Sequence, residues 1–215
     1  SVRLEIGQPM HAFDAGHLQA VRVAVLGKEG SFTTLDGSER KMLASDLMIW
    51  NEKEPVALAG VMGGLHSEVT PATSRLLLES ANFQPMTIRR TAVRLGLRTD
   101  ASQRFEKDLP PSFMPLSIAR FLHLVRQAGQ EPTVRSRLTH AGTLGQEKRY
   151  ISMPLGFVQN YMGEQLPQER VESILGAIGF GCARKGQEMT VEVPVHRSSR
   201  DISVPQDIVE EVARF

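Results

Sequence analysis

The sequence predicts an α+β protein in which a larger, mixed-sheet domain precedes a small, helix-rich, winged-helix-like domain. Short runs of β-branched and aromatic residues alternate with glycine-containing turns over about the first 60 residues, which indicates strands. Helical periodicity then dominates the middle of the chain, and the last third combines two helical segments with a hairpin pattern. These changes predict a first domain at residues 1–129, a connector at 130–148 and a second domain at 149–215.

The predicted strands of the first domain are short and bounded by turns. They lie at residues 21–25, 32–35 and 47–50, where β-branched and aromatic residues accumulate. An Asp-Gly pair at residues 36–37 predicts a hairpin tip, because this pair favours the turns that join antiparallel strands. Residues 76–80 read LLLES, and an unbroken apolar run of this length predicts a strand buried on both faces of a sheet.

The predicted helices are marked by their end signals. Pro85 suits the first position of a helix over residues 85–94, which Gly96 closes. A second helix at residues 113–128 carries apolar residues at helical spacing. The connector gains glycine, threonine and charge, and we predict one short edge strand around Val134. The second domain is predicted to contain a short strand, helices at residues 155–162 and 168–178, a hairpin that includes residues 189–193, and a closing helix at residues 207–214.

Composition excludes several classes of protein. The 25 lysines and arginines nearly balance the 24 aspartates and glutamates, so any nucleic-acid contact has to come from a local patch. The single cysteine, Cys182, excludes an internal disulfide and a cysteine-based zinc site, and it fits a reducing compartment. No apolar run approaches the roughly 20 residues of a membrane span. The chain opens inside patterned sequence, which predicts a segment of a longer protein.

Glu79 is a carboxylate inside an apolar run, and it has two interpretations. A lone charge in such surroundings is costly unless it is paired or hydrogen-bonded. Glu79 is therefore either a strand end that forms a salt bridge with a nearby arginine, or a recognition carboxylate at the floor of a pocket. In the second case it accepts a hydrogen bond from a ligand hydroxyl or amine.

A glycine-rich turn and a polar loop could complete such a pocket. Residues 59–64 read AGVMGG, and glycines of this kind serve tight turns or let a ligand approach bare backbone groups. The lysine and hydroxyl of a phosphate-binding loop are absent. Thr99, Asp100 and Ser102 could instead cap a helix that runs through Phe105, which is the commoner use of such residues.

The remaining candidate residues are basic. Arg90, Arg94 and Arg98 recur every four residues, so a single helix would place them within about 80° of one another, either as solvated surface or against a phosphate backbone. His11 lies near an aromatic residue, where packing is the usual role. The six histidines show no metal-ligand spacing and no nucleophile–base pair is evident, so we predict no metal site.

Taken together, these stretches resemble the beta subunit of bacterial phenylalanyl-tRNA synthetase. The resemblance covers nearly the whole chain except the connector, and it preserves the order and spacing of the motifs. The matching runs are GQPMHAFD at 7–14, TLDG at 34–37, ALAGVMGG at 57–64, LLLESANF at 76–83, IRRTAVRLGLRTDASQRFEK at 88–107, IGF at 178–180, VPVHRSSRDI at 193–202 and DIVEEVAR at 207–214.

The resemblance implies that the first domain is most of an editing domain, which hydrolyses tyrosine wrongly joined to the phenylalanine tRNA. Glu79 would then recognise the tyrosine phenol. The other implied pocket residues are His11, Ala59, Gly60, Gly63, Thr99 and Ala101. The resemblance leaves open which residue, if any, activates the water, and water positioned by the pocket and the substrate could act without a protein general base.

The resemblance also implies the setting of this segment. The second domain would be a small module with a DNA-binding-like fold. The whole enzyme would be a cytoplasmic assembly of two alpha and two beta subunits that attaches phenylalanine to tRNA(Phe) with ATP and magnesium, at a site outside this segment, which would itself need no cofactor. The alternatives are a non-catalytic scaffold or nucleic-acid-binding segment of the same subunit, and an unrelated small-molecule enzyme, for which no cofactor motif is present.

Overall fold

The chain divides into two compact units, Ser1–Leu144 and Gly145–Phe215. The computed structural model describes residues 2–16, 18, 20–142, 145, 148–197 and 201–215. The predicted α+β class is confirmed. Every strand pair among the described residues is antiparallel, so the predicted mixed sheet is replaced by several small antiparallel sheets. Where strands that follow each other in the chain are paired, as residues 30–33 and 39–42 are, a short turn joins them, and such a turn can connect antiparallel strands but not parallel ones.

Unit 1 consists of a short first helix, a series of strands and three further helices. The elements are α1 (Val2–Ile6), β1 (His11–Asp14), β2 (Arg22–Val25), β3 (Gly30–Thr33), β4 (Glu39–Met42), β5 (Leu47–Trp50), β6 (Pro55–Leu58), β7 (Met62–Gly63), β8 (Leu76–Glu79), α2 (Pro85–Arg94), α3 (Asp100–Phe105) and α4 (Phe113–Gln127). Four strands form one sheet in the order β2-β5-β6-β7, β3 pairs with β4, and β1 pairs with β8.

Several local predictions for unit 1 are confirmed. The Asp-Gly pair lies in the turn between β3 and β4, and Gly37 has a φ of 75°. Helix α2 starts with Pro85, its first turn is capped by the Gln84 side chain, and the chain leaves the helix at Gly96 with a φ of 66°. The strand predicted at residues 32–35 lies slightly earlier, at Gly30–Thr33.

Strand β8 is present, but the prediction that both its faces are buried is wrong. It pairs only with β1, and Leu76 is 47% exposed. One face of this two-stranded ladder carries Phe13, which is fully buried, and Leu77, which packs on the core. The other face has no second layer to cover it completely. A run of leucines shows that a strand is apolar. It does not show whether other parts of the protein pack on one face of the strand or on both.

Gly60 lies in the turn between β6 and β7, where the chain meets the core. Its φ of 67° is unfavourable for residues with a side chain. A Cβ atom there would lie 3.0 Å from the Ile88 side chain, 3.0 Å from Phe83 and 3.1 Å from Phe105. The backbone conformation and the packing therefore both call for glycine at this position.

We expect Gly60→Ala to destabilise unit 1 by about 2–4 kcal/mol, as the sum of left-handed backbone strain and overpacking. Gly96→Ala is the matched control, because Gly96 has a φ of 66° and a Cβ atom there would meet no other atom within 4 Å. The control should lose only about 1–2 kcal/mol. Urea unfolding followed by Trp50 fluorescence measures both variants, and equal losses would contradict the role given to core contact.

Unit 2 is a three-stranded antiparallel sheet with helices, and the strand Glu188–Val193 lies between Gly181–Lys185 and Arg149–Pro154. Its helices and the hairpin at residues 181–193 agree with the predicted winged-helix-like arrangement. The predicted closing helix begins earlier, at Pro205, and Asp207 accepts hydrogen bonds from the backbone N–H groups of Ser203 and Val204. The elements are β9 (Arg149–Pro154), α5 (Phe157–Met162), α6 (Gln168–Ala177), β10 (Gly181–Lys185), β11 (Glu188–Val193) and α7 (Pro205–Ala213).

The edge strand predicted around Val134 is wrong. The described residues between α4 and β9 form neither helix nor strand, and Val134 is 61% exposed. A single valine among polar residues has no partner strand to pair with there. The exact first and last residues of the predicted connector stay a prediction.

No helix among the described residues is both long enough and apolar enough to cross a bilayer.

Candidate functional site

The β1–β8 ladder places His11 directly opposite Glu79. Cross-strand partners in an antiparallel pair project their side chains from the same face, with Cβ atoms about 4.5–5.5 Å apart. Because side chains alternate along a strand, this face is also the one that carries the buried Phe13. The two side chains therefore point toward the interior of unit 1, at the end of the ladder.

Glu79 keeps an unpaired carboxyl oxygen inside the protein. The residue as a whole is partly exposed, but its Oε2 atom is buried and has no hydrogen-bond partner. Burial raises the pKa of the Glu79 carboxyl from 4.5 to about 7, and no neighbouring charge contributes to the shift. The interpretation of Glu79 as the partner of an arginine is therefore wrong among the described residues.

Gly63 lies against the His11 ring. A Cβ atom on Gly63 would be 2.7 Å from His11 Cε1 and 2.9 Å from His11 Nε2, so only glycine lets the ring approach this backbone. The His11 ring also packs edge-to-face on Phe13, with centroids 4.4 Å apart. Burial lowers the pKa of His11, which favours the neutral imidazole near pH 7. Gly63, His11 and Glu79 thus form one continuous group.

Helix α3 is tied to the same glycine-rich turn. The Thr99 hydroxyl donates a hydrogen bond to the Val61 carbonyl oxygen at 2.8 Å and accepts one from the Ser102 N–H at 3.1 Å. The capping role considered for Thr99 is therefore confirmed, and the same hydroxyl fixes the turn. Ala59 is buried and its N–H donates to the Leu47 carbonyl, while Ala101 packs on the core.

The predicted arginine stripe is not a single helical face. Arg94 ends α2, and Arg98 follows Gly96, where the chain has left the helix. Arg94 pairs with the buried Asp46, and Arg98 pairs with Glu106 at 2.5 Å. Arg90 is exposed on α2. The prediction assumed that one helix continues through the glycine, and the positive φ at Gly96 ends it.

A cavity of about 620 Å³ is lined by residues of β3, of the start of β6 and of the chain that follows β7. Its lining includes Gly64, whose Cα faces the Phe32 ring, whereas the neighbouring Gly63 faces His11. None of the predicted site residues lines this cavity. The prediction that Glu79, Gly63, Thr99 and His11 line one amino-acid-sized cavity stays a prediction.

Sequence reasoning missed two polar residues near this group. Gln8 is completely buried, and its amide donates to the Ala81 carbonyl at 2.7 Å. The Asn82 amide donates to the Leu109 carbonyl at 2.5 Å. Both residues lie within the motif runs around His11 and Glu79, and in the sequence only this proximity could have indicated that they belong to the site.

Among the described residues, no group of three or more His, Cys, Asp or Glu side chains could hold a metal ion.

The site is an inward-facing cluster that offers hydrogen-bond acceptors beside a glycine turn, on a two-unit α+β chain. Comparison with known families matches residues 1–130 to the B3/4 domain and residues 151–215 to the tRNA synthetase B5 domain. The second of these two domains is, by its description, a tRNA synthetase domain. The chain belongs to the B3/4 domain family.

The curated relatives are more specific. The chain is 39% identical to the phenylalanine–tRNA ligase beta subunit of Staphylococcus haemolyticus and 40% identical to that of Shouchella clausii, over 100% of its length in both cases. It spans 27% and 26% of those proteins, about a quarter of their length. The resemblance to phenylalanyl-tRNA synthetase beta subunits is therefore confirmed.

One solved structure is also similar in outline. An N-terminal fragment of the phenylalanyl-tRNA synthetase beta subunit from Pyrococcus horikoshii aligns with 99% of this chain and 62% of its own, at 12% identity and a TM-score of 0.48.

Proposed function

We propose that unit 1 is an editing site, which hydrolyses tyrosine wrongly attached to tRNA(Phe), and that Glu79 recognises the tyrosine phenol. One observation carries the proposal. The Glu79 carboxyl is buried, lacks a hydrogen-bond partner at Oε2, and faces the same side of the ladder as His11. A buried acceptor without a donor is costly, and a ligand hydroxyl removes that cost by donating to it.

Tyrosine and phenylalanine differ by one hydroxyl group, and a separate site that binds this hydroxyl improves the discrimination between them. A pocket shaped for phenylalanine rejects an added hydroxyl by only about a hundredfold. A site that must hydrogen-bond the hydroxyl rejects the analogue without it by roughly 10⁴-fold or more, because its own polar group stays unpaired. One carboxyl at the pocket floor therefore suits an enzyme that must cleave the tyrosine ester and spare the phenylalanine ester.

The other predicted residues receive supporting roles in this proposal. Gly63 lets the His11 ring approach the backbone, and Thr99 holds the glycine turn through the Val61 carbonyl. Gly60 and Ala59 form the buried part of that turn, and Ala101 packs beside it. Water adds to the ester carbonyl carbon and the ribose oxygen of the tRNA leaves. No residue is assigned to activate the water.

The setting of the site is part of the same proposal. The names of the relatives support placement within a beta subunit, which would assemble with an alpha subunit as two chains of each kind in the cytoplasm. The substrate would be tRNA(Phe) carrying tyrosine. ATP and magnesium would serve the aminoacylation site elsewhere in that enzyme. Arg90, which is exposed on α2, is the remaining candidate for contact with the tRNA backbone.

The test is release of amino acid from tRNA(Phe) charged with tyrosine or with phenylalanine, using the assembled enzyme that carries this segment. We expect rapid release of tyrosine and slow release of phenylalanine. A non-catalytic scaffold or nucleic-acid-binding segment, the second candidate, predicts background release of both. The winged-helix-like unit 2 motivates that second candidate.

A further inference from the structure

Three buried acceptors in unit 1 have no donor. They are Gln8 Oε1, Glu79 Oε2 and Asn82 Oδ1, and the only other such atom among the described residues, Gln159 Oε1, lies in unit 2. Proteins pair the large majority of their buried polar side-chain atoms. Glu79 and Asn82 are close in the chain, and the hydrogen bond from Gln8 to the Ala81 carbonyl brings the Gln8 amide to the same segment. Three unpaired acceptors on one segment, with no unpaired donor among the same buried atoms, therefore indicate a place that receives donors from a ligand.

The orientation of the two amides is fixed by their contacts. The Gln8 Nε2 group donates to the Ala81 carbonyl at 2.7 Å and to the Pro9 carbonyl at 3.1 Å. The Asn82 Nδ2 group donates to the Leu109 carbonyl at 2.5 Å. Rotating either amide would set its oxygen against a carbonyl oxygen, so the network itself assigns the amide nitrogens. The side-chain oxygens of Gln8 and Asn82 are therefore unpaired in the orientation that the contacts of their amide nitrogens require.

The Gln8 and Asn82 acceptors belong to a segment close enough to Glu79 for one amino-acid ligand to contact both. Gln8 is held at Ala81, which is two residues beyond Glu79 and so at most about 7 Å along the chain. Asn82 follows immediately. This limit applies to the Cα atoms of Glu79 and Ala81, and it is of the same order as the span of a tyrosine molecule from its phenol oxygen to its α-nitrogen. One end of the ligand can therefore meet Glu79 while the other meets Gln8 and Asn82.

We infer that Gln8 Oε1 and Asn82 Oδ1 accept hydrogen bonds from the α-ammonium group of the bound amino acid, while Glu79 accepts one from its phenol. The inference rests on the proposed function and extends it. An ammonium group has three N–H donors and no acceptor, which complements a set of acceptors. A free carboxylate would bring a negative charge close to these acceptors and an ester would not, so the site favours an amino acid whose carboxyl group is esterified.

The test is calorimetric titration of the 215-residue chain with four probes. These are tyrosinamide, phenylalaninamide and the des-amino analogue of each, at about pH 6, below the α-amine pKa of roughly 8. We expect removal of the amine to weaken binding about tenfold or more, the value of a hydrogen bond to a charged group. In Gln8→Met that amine effect should be clearly smaller, because only Asn82 remains as an acceptor, while the preference for tyrosinamide over phenylalaninamide persists.

Two further variants complete the design. Gln159→Met removes an equally unpaired amide from unit 2 and should leave all four affinities unchanged. Asn82→Leu replaces Gln8→Met if Trp50 fluorescence shows that the latter does not fold. An equal weakening of all four probes in the variant, an amine effect as large as in the parent chain, or no binding of any probe would overturn the inference. Loss of the phenol preference in the parent chain alone would count against the proposed function instead.

Discussion

Glu79→Ala is expected to lower the ratio of tyrosine release to phenylalanine release from charged tRNA(Phe) by about a hundredfold or more. The carboxyl that pairs with the phenol is gone, so the tyrosine ester loses its advantage. Phenylalanine release should rise at the same time, because its ring no longer leaves a buried carboxyl unpaired. The measurement is the rate of deacylation of each charged tRNA by the assembled enzyme.

The matched control for this variant is Glu106→Ala. The Glu106 side chain is also largely buried, at 8% exposure, but it is paired with Arg98. Its removal should leave the release ratio unchanged. If Glu79→Ala kept the parent ratio, the carboxyl would have no part in selecting the substrate, and a structural role in the ladder would remain.

Glu79→Gln is expected to stabilise unit 1 at alkaline pH and to have little effect on stability in acid. The pKa of Glu79 is raised to about 7 in the folded chain from 4.5. Below 4.5 the carboxyl is protonated in both states. As the pH rises toward 7, the unfolded chain ionises first, so the folded state loses about 3 kcal/mol relative to the unfolded state. Glutamine does not ionise and avoids that loss.

Urea unfolding at about pH 4 and about pH 8 measures this difference. Trp50 is the only tryptophan and lies in β5, so its fluorescence reports the unfolding of unit 1. Glu106→Gln should instead lose up to about 1 kcal/mol at the higher pH, because an ion pair with an exposed arginine is removed. A Glu79→Gln gain that did not grow with pH would contradict the buried, unpaired state of the carboxyl.

The sequence predicted the features that depend on neighbouring residues. The start of α2 at Pro85, its end before Gly96 and the cap formed by Thr99 are all decided within one or two turns of chain. The hairpin at Gly37 is local in the same sense. Motif resemblance then brought together residues far apart in the chain, such as His11 and Gly63, whose contact no periodicity could indicate.

The features that the sequence could not predict depend on contacts between residues that are far apart in the chain. The exposure of β8 is set by β1, more than 60 residues earlier, which is its only neighbour in the sheet. Within the part of the chain that the structure describes, no arginine pairs with Glu79, and two nearby arginines pair with other carboxylates: Arg94 with Asp46 and Arg98 with Glu106. The burial of Gln8 depends on a carbonyl at Ala81, which no sequence pattern identifies.

The titration of the Glu79 side-chain carboxyl carbon, followed by NMR in the presence of tyrosinamide or phenylalaninamide, tests the central claim most directly. In the free chain the midpoint should lie at about 7. Tyrosinamide should lower the midpoint relative to phenylalaninamide, because a phenol that donates to the carboxylate favours the charged form. A midpoint near the ordinary 4.5 in the free chain, or the same midpoint with both ligands, would contradict the account.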